Sequence, residues 1–396
     1  MEIQKHPEIR FKSFSDIWLT RRLREICYYH TSSLTMNDAK KHGTFKLYDA
    51  TGCIGYTTEN IQETQYISII KDGSGVGRVR ILPKNSSFLA TMGAIKVKDR
   101  NADLNFIYYQ LQCVDFSKHI LGANIPHVYF SSYGSDYYFL PCVDEQNLLG
   151  QFFQNLDQSI ALQEQKLTQT QNLKQALLEK MFPKAGSKQP EIRLKGFSGD
   201  WAISQLSDFI SIKHGFAFDG RYFSEMESNL CLVTPGNFLI GGGFKTEKFV
   251  YYKGTVPNNY ILSDDDLIVT MTDLSKDSDT LGCPALIPKK DGKIFLHNQR
   301  IGLISFEENG LNKGFLFYLL QTNFYHKYIV LSATGTTVKH TSPDKIKSFS
   351  CHIPEYEEQV KIGQFFEKID GVMALHKQQL QTLKNLKQAF LIKMFV

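Results

Sequence analysis

The residues in this chain whose types and spacing could do chemistry lie in short glycine-punctuated segments. Their chemistry would be the bonding of phosphates and base edges. In KDGSGVGRVR at 71–80, Gly73, Gly75 and Gly77 allow tight turns and close backbone approach to a phosphate, while Lys71, Ser74, Arg78 and Arg80 add a hydroxyl and positive charge. The segment lacks the GK[ST] ending of a Walker A loop and opens no helical pattern, so a plain glycine-rich hairpin accounts for it equally well. GANIPH at 122–127 and GTTVKH at 335–340 recur at an offset of 213, each behind an apolar helical stretch and each ending in histidine, His127 and His340. Asn124, Thr336, Thr337 and Lys339 are types that hydrogen-bond bases or phosphates, and the recurrence favours a ligand-facing loop over an ordinary turn. In FLHNQRIGLI, Asn298 and Arg300 can each bond a purine edge at two points. This stretch aligns with FLATMGAIKV at an offset of 207, setting Asn298 against Thr91 and Arg300 against Gly93; a polar hairpin end is the alternative.

Catalytic spacings are missing from the sequence. It has no HExxH, no GxSxG, no metal-spaced Cys/His set and no Asn/Asp-Pro-Pro-Tyr, and SPDK at 342–345 is not followed by a strand with a spaced Glu-x-Lys. These omissions weigh against an enzyme. The seven cysteines are scattered without a CxxC pair, which suggests reduced thiols in a cytoplasmic protein. A net charge of +5 over 396 residues permits a nucleic-acid partner without demanding one. No run of 18 apolar residues stands ready to span a membrane.

The elements that must position these segments are written twice. PEIRFKSFSDIW at 7–18 returns as PEIRLKGFSGDW at 190–201, an offset of 183. The stretch at 145–182 returns at 358–395, an offset of 213, with 20 identities in 38 positions. Between them lie β-type runs such as YISII at 66–70 and LIVT at 267–270, broken often by Gly, Asn, Asp and Pro, and one apolar helix per copy, FIYYQLQ at 106–112 and FLFYLLQ at 315–321. Strands and helices without regular βαβ alternation predict an α+β domain. The rising offset makes the second globular segment longer by 26 residues in its front half. Variable interiors between constant ends suit two heads of different specificity on a common frame.

Each long copy carries apolar residues at spacings of 3 and 4, from Leu149 and Phe153 to Met181 and from Ile362 and Phe366 to Met394. That is a heptad-like seam, and an antiparallel pair within one chain is its simplest arrangement. Gln163, Lys174, His376 and Lys387 interrupt the seam; they either fix register or face the surface where the seam drifts.

The layout resembles the specificity subunit of type I restriction–modification systems. Two variable heads, opened at Pro7–Trp18 and Pro190–Trp201 and closed by Pro141–Phe182 and Pro354–Phe395, carry the resemblance over nearly the whole chain. It implies two target recognition domains in tandem, each reading one half of a split site in double-stranded DNA, with the helix pair setting the spacer. It also implies two modification subunits that use S-adenosylmethionine to methylate adenine. Restriction subunits that use ATP and Mg2+ would join them, while this chain binds no cofactor and catalyses nothing.

The expected organisation is a first recognition domain at 1–144, a first long helix at 145–183, a second recognition domain at 184–357 and a second long helix at 358–396. The expected DNA contacts are Lys71, Ser74, Arg78, Arg80, Asn124, His127, Asn298, Arg300, Thr336, Thr337, Lys339 and His340. A protein-interaction scaffold without nucleic acid is the rival reading.

Overall fold

The computed structural model describes residues 7–395 apart from 60, 61, 123, 274, 276, 290 and 309. Four helices frame the heads: α1 (Leu104–Gln112), α2 (Val143–Met181), α3 (Lys313–Leu319) and α4 (Tyr356–Met394). The chain divides into two compact units, one of Met1–Gln165 with Lys377–Val396 and the other of Lys166–His376. Each unit therefore combines one head, the start of its own long helix and the end of the other.

In the first unit, a four-stranded antiparallel sheet runs in the order Cys27–Thr31, Met92–Val97, Tyr66–Ile70, Val79–Leu82. The central strand YISII is buried along its whole length, which explains why it is apolar except at Ser68, whose hydroxyl donates to Arg80 O at 3.2 Å. A three-stranded sheet pairs Phe45–Tyr48 antiparallel to Cys53–Thr57 and parallel to Ser86–Phe88. The Asp103 side chain accepts the Phe106 N–H and caps α1. The second unit repeats the plan. Ile210–His214, Ile301–Phe306, Leu267–Thr270 and Pro284–Leu286 form the antiparallel sheet, and Asn312 caps α3 as Asp103 caps α1. These are α+β heads, as the sequence suggests.

Strand register locates the extra length of the second head. The offset is 185 at Leu47/Leu232, 200 at Ile69/Val269 and 209 at Gly93/Gly302. Most of the growth thus falls in the segment leading into the central strand.

The two long helices, 39 residues and about 58 Å each, pack antiparallel inside each unit. In the first unit Asp157 meets Lys387, and Gln163 donates to Gln379 at 2.8 Å; in the second Lys174 meets Asp370. All the seam residues that the spacing picks out are buried or half-buried, so the polar ones do not face away as the seam drifts. Leu391 and Met394 of α4, with Phe395 just after it, fill the first head's core beside Trp18, Phe106 and Phe153. Leu178, Met181 and Phe182 fill the second beside Trp201, Phe315 and Phe366. The repeated KMF ending thus supplies apolar core to the other head, not to the one that its own helix closes.

The repeated polar motifs join the same parts. Arg10 donates two bonds of 2.7 Å to the fully buried Glu145, and Arg193 donates bonds of 2.8 and 2.7 Å to the fully buried Glu358. The neighbouring glutamines satisfy loop backbone: Gln146 donates to the Asn101 and Pro141 carbonyls, and Gln359 to those of Gly310 and Pro354. The PEIR and EQ motifs are two ends of one contact.

Candidate nucleic-acid interface

Three backbone segments meet at the same place in both heads. In the first, Lys71 N–H donates to Thr91 O at 3.0 Å, and Lys71 O accepts from Val128 N–H at 2.9 Å. In the second, Met271 N–H donates to Arg300 O at 2.9 Å, and Met271 O accepts from Thr341 N–H at 3.0 Å. The fold therefore brings the glycine-rich loop and the GANIPH hairpin together in one head. In the other it brings Arg300 and the GTTVKH hairpin together.

Two local devices shape the hairpin tips. Gly122 and Gly335 have φ of +93° and +94°, and a Cβ there would lie 2.4 Å from Ile125 O or 2.0 Å from Val338 O. Only glycine fits. Each tip then returns through a two-residue strand that contains its histidine, His127–Val128 in the first head and Lys339–His340 in the second. His127 pairs with Leu121 and bridges to Asp72, while His340 pairs with Thr272. His127 Nδ1 lies 2.8 Å from Asp72 Oδ1, and His340 Nδ1 lies 3.2 Å from Thr272 Oγ1. Burial alone would raise the Asp72 carboxyl, but its bonds with His127 and Lys71 outweigh that and hold it below the usual carboxylate range.

The other expected contacts fall into different classes. Ser74, Arg78 and Asn124 are exposed, and the Arg78 guanidinium donates to Ala50 O at 2.8 Å. Lys71 is ion-paired with its neighbour Asp72. Arg80 folds back, donates to Asp49 O and lies over the Tyr48 ring, and its burial lowers the guanidinium pKa. Its carbonyl partner is the neighbour of the one that Arg78 uses. Thr336, Thr337 and His340 are exposed and Lys339 is half-buried. Asn298 is mostly buried and its side-chain oxygen accepts the Arg300 N–H at 3.1 Å, so part of its role is to hold the turn that presents Gln299 and Arg300. Asn298, Gln299 and Arg300 rim a cleft of about 430 Å3 whose apolar lining includes Phe218, Phe223, Pro235 and Val250.

The strand register corrects one alignment. Gly93 pairs with Ile69 as Gly302 pairs with Val269, and Met92 N–H bonds Leu89 O as Ile301 N–H bonds Asn298 O. Arg300 is therefore equivalent to Thr91 and Asn298 to Leu89, two residues from the pairing at offset 207. His297 of the same segment is a core residue, its Nε2 2.9 Å from Ile301 O and its pKa pushed down to about 4 by burial.

Sequence reasoning passed over Asp72, which orients His127, and the exposed apolar Leu121, Ile125 and Tyr129 around it. The adjacency of Asp72 to the glycine loop was its only available signal. Among the described residues no group of three His, Cys, Asp or Glu is placed to hold a metal, and no helix is long and apolar enough to cross a membrane.

Two α+β heads, each packed with antiparallel helix segments and each carrying a glycine-tipped hairpin, match a known family of DNA specificity proteins. The chain belongs to the type I restriction modification DNA specificity domain family, matched at residues 16–172 and again at 198–385. It is similar to the type I restriction enzyme MjaVIII specificity subunit of Methanocaldococcus jannaschii, 21% identical over 330 residues covering 81% of this chain and 76% of that one. It is also similar to the EcoBI specificity subunit of Escherichia coli, 28% identical over 200 residues covering 48% of this chain and 38% of that one. Its fold matches the crystal structure of the S subunit from M. genitalium with a TM-score of 0.65 at 16% identity, covering 99% of both chains. A second match, to a chain from a structural study of type I R-M complex assembly and conformational transition, has a TM-score of 0.54 at 15% identity and covers 96% and 97% of the two chains.

Proposed function

We infer that this chain is the DNA sequence-recognition subunit of a type I restriction–modification complex. Each head reads one half of a bipartite site, and the long helices set the spacer and dock the modification subunits. Adenine methylation with S-adenosylmethionine belongs to those partners, and ATP- and Mg2+-dependent restriction to further subunits; this chain supplies position. The observation that carries the reading is the repeated three-segment ladder with a different hairpin in each copy, GANIPH in one head and GTTVKH in the other. A common scaffold with changed side chains is what two half-sites of different sequence require. Lys71, Ser74, Arg78, Arg80, Asn124 and His127 serve the first head, and Asn298, Arg300, Thr336, Thr337, Lys339 and His340 the second.

The test is duplex DNA binding by the chain assembled with its modification subunits over a salt series. A reader that neutralises about 6–10 phosphates loses roughly a thousandfold or more in affinity between about 50 and 200 mM salt. Weak binding that ignores salt would favour the scaffold.

A further inference from the structure

The two hairpin tips share a backbone and differ in chemistry. At the offset of 213, Leu121, Ile125, Pro126 and Tyr129 of the first head stand where the second has Thr334, Val338, Lys339 and Ser342. Four large apolar side chains are exposed within ten residues of the first tip: Ile120 at 36%, Leu121 at 60%, Ile125 at 57% and Tyr129 at 52%. Single exposed apolar residues are ordinary, but a cluster on one short hairpin marks a contact surface.

The surroundings identify what covers it. The tip is fastened to the glycine loop, since Gly73 N–H donates to Pro126 O at 2.9 Å and His127 is held by Asp72. The His127 ring lies nearly parallel to that of Tyr129, with centroids 6.4 Å apart. The same loop carries Arg78, an exposed cation whose guanidinium lies 3.4 Å from where a Cβ on Gly75 would stand. An apolar tip beside an exposed cation is complementary to a groove wall that offers methyl groups next to phosphates. In the DNA major groove that methyl is the C5-methyl of thymine, the apolar feature of the base-pair code.

We propose that the first head reads its half-site by apolar contact of Leu121 and Ile125 with thymine methyl groups, whereas the second head reads by hydrogen bonds from its threonines, Lys339 and His340. The proposal rests on the DNA-recognition reading above. It makes the halves of one target chemically unequal: one is sensitive to loss of a methyl, the other is not.

The experiment uses the chain with its modification subunits and synthetic duplexes of the target, defined by methylation sequencing. Thymines are replaced by uracil in one half at a time, which removes the methyl and keeps the pairing. The expected result is binding weakened about 4-fold for each contacted methyl in one half only. Leu121→Ser combined with Ile125→Ser abolishes the thymine–uracil difference in that half and leaves the other half unchanged, while Leu121→Met combined with Ile125→Val retains it. Uracil without effect in both halves, or a first-head half-site with no thymine, overturns the proposal while leaving specific methylation, and hence the DNA-recognition reading, intact. Loss of all sequence-specific binding in the unaltered complex overturns both.

Discussion

Lys387 places its ammonium 2.6 Å from the Asp157 carboxylate and over the Tyr109 ring, whose hydroxyl donates to the same Asp157 at 2.8 Å. The second unit repeats the triad: Lys174 lies 2.7 Å from Asp370 and over Tyr318, whose hydroxyl donates to Asp370 at 2.9 Å. A lysine from one long helix, an aspartate from the other and a tyrosine from the head are thus bonded at one point. Lys387→Ala should cost about 2 kcal/mol, the order of a charge-assisted hydrogen bond, and should soften the first unit alone. Lys174→Ala should do the same to the second. Thermal unfolding followed by hydrogen exchange across α1 and α3 separates the two; equal softening of both units by either variant contradicts this.

The Arg193–Glu358 pair ties the entry of the second head to the base of its helix. Glu358→Ala strands a largely buried guanidinium and should cost about 3–5 kcal/mol. Glu358→Gln, which keeps a bond to Arg193, should cost less. Denaturant unfolding with both variants checks the order, and an Ala variant as stable as the parent would remove this contact from the account.

Acid should loosen the second head through His297. Its folded pKa of about 4 lies below the ordinary value near 6.5, because burial disfavours the imidazolium. Between those values the unfolded chain binds the extra proton, so stability is full above about pH 6.5 and falls as the pH drops towards 4, by about 3 kcal/mol in all. His297→Gln should flatten that dependence. A pH-independent melting profile for the parent in this window would refute it.

Much of this frame was legible in the sequence. The long helices declare themselves because apolar spacing of 3 and 4 persists over many turns from Leu149 to Met181, and the starts of the two heads because PEIR and Trp recur. The partners of those motifs were not legible, since Arg10 and Glu145 lie 135 residues apart and meet only once the head has folded. The site was half legible. Residue type picked out the hairpins, but neither type nor spacing shows that Arg80 folds back on Asp49 or that Asp72 holds His127, because both depend on chain pairings far apart in sequence. The two-residue slip at Arg300 arose where the heads differ in length and only strand register could fix the match.

Replacing Lys339 and His340 together by alanine should relax recognition in one half-site and leave assembly with the modification subunits unchanged. Each matched base contact is worth about 1–3 kcal/mol of discrimination, so the preferred base at the affected position should lose roughly 10-fold or more of its advantage. An unaltered methylation motif in the double variant would exclude these residues from base reading.

Inserting about four residues, near one turn, into α2 between Lys166 and Gln171 should lengthen the spacer of the methylated motif without altering either half. A spacer of unchanged length would mean that the helix pair does not set it.

The most direct measurement is methylation sequencing of the genome of a cell without its own system, given this chain and its modification subunit. The account predicts a split motif with methylated adenines that vanishes when this chain is omitted. An assembled complex that leaves no motif, or one contiguous motif with no spacer, would contradict the claim that two heads on a helix pair read two half-sites.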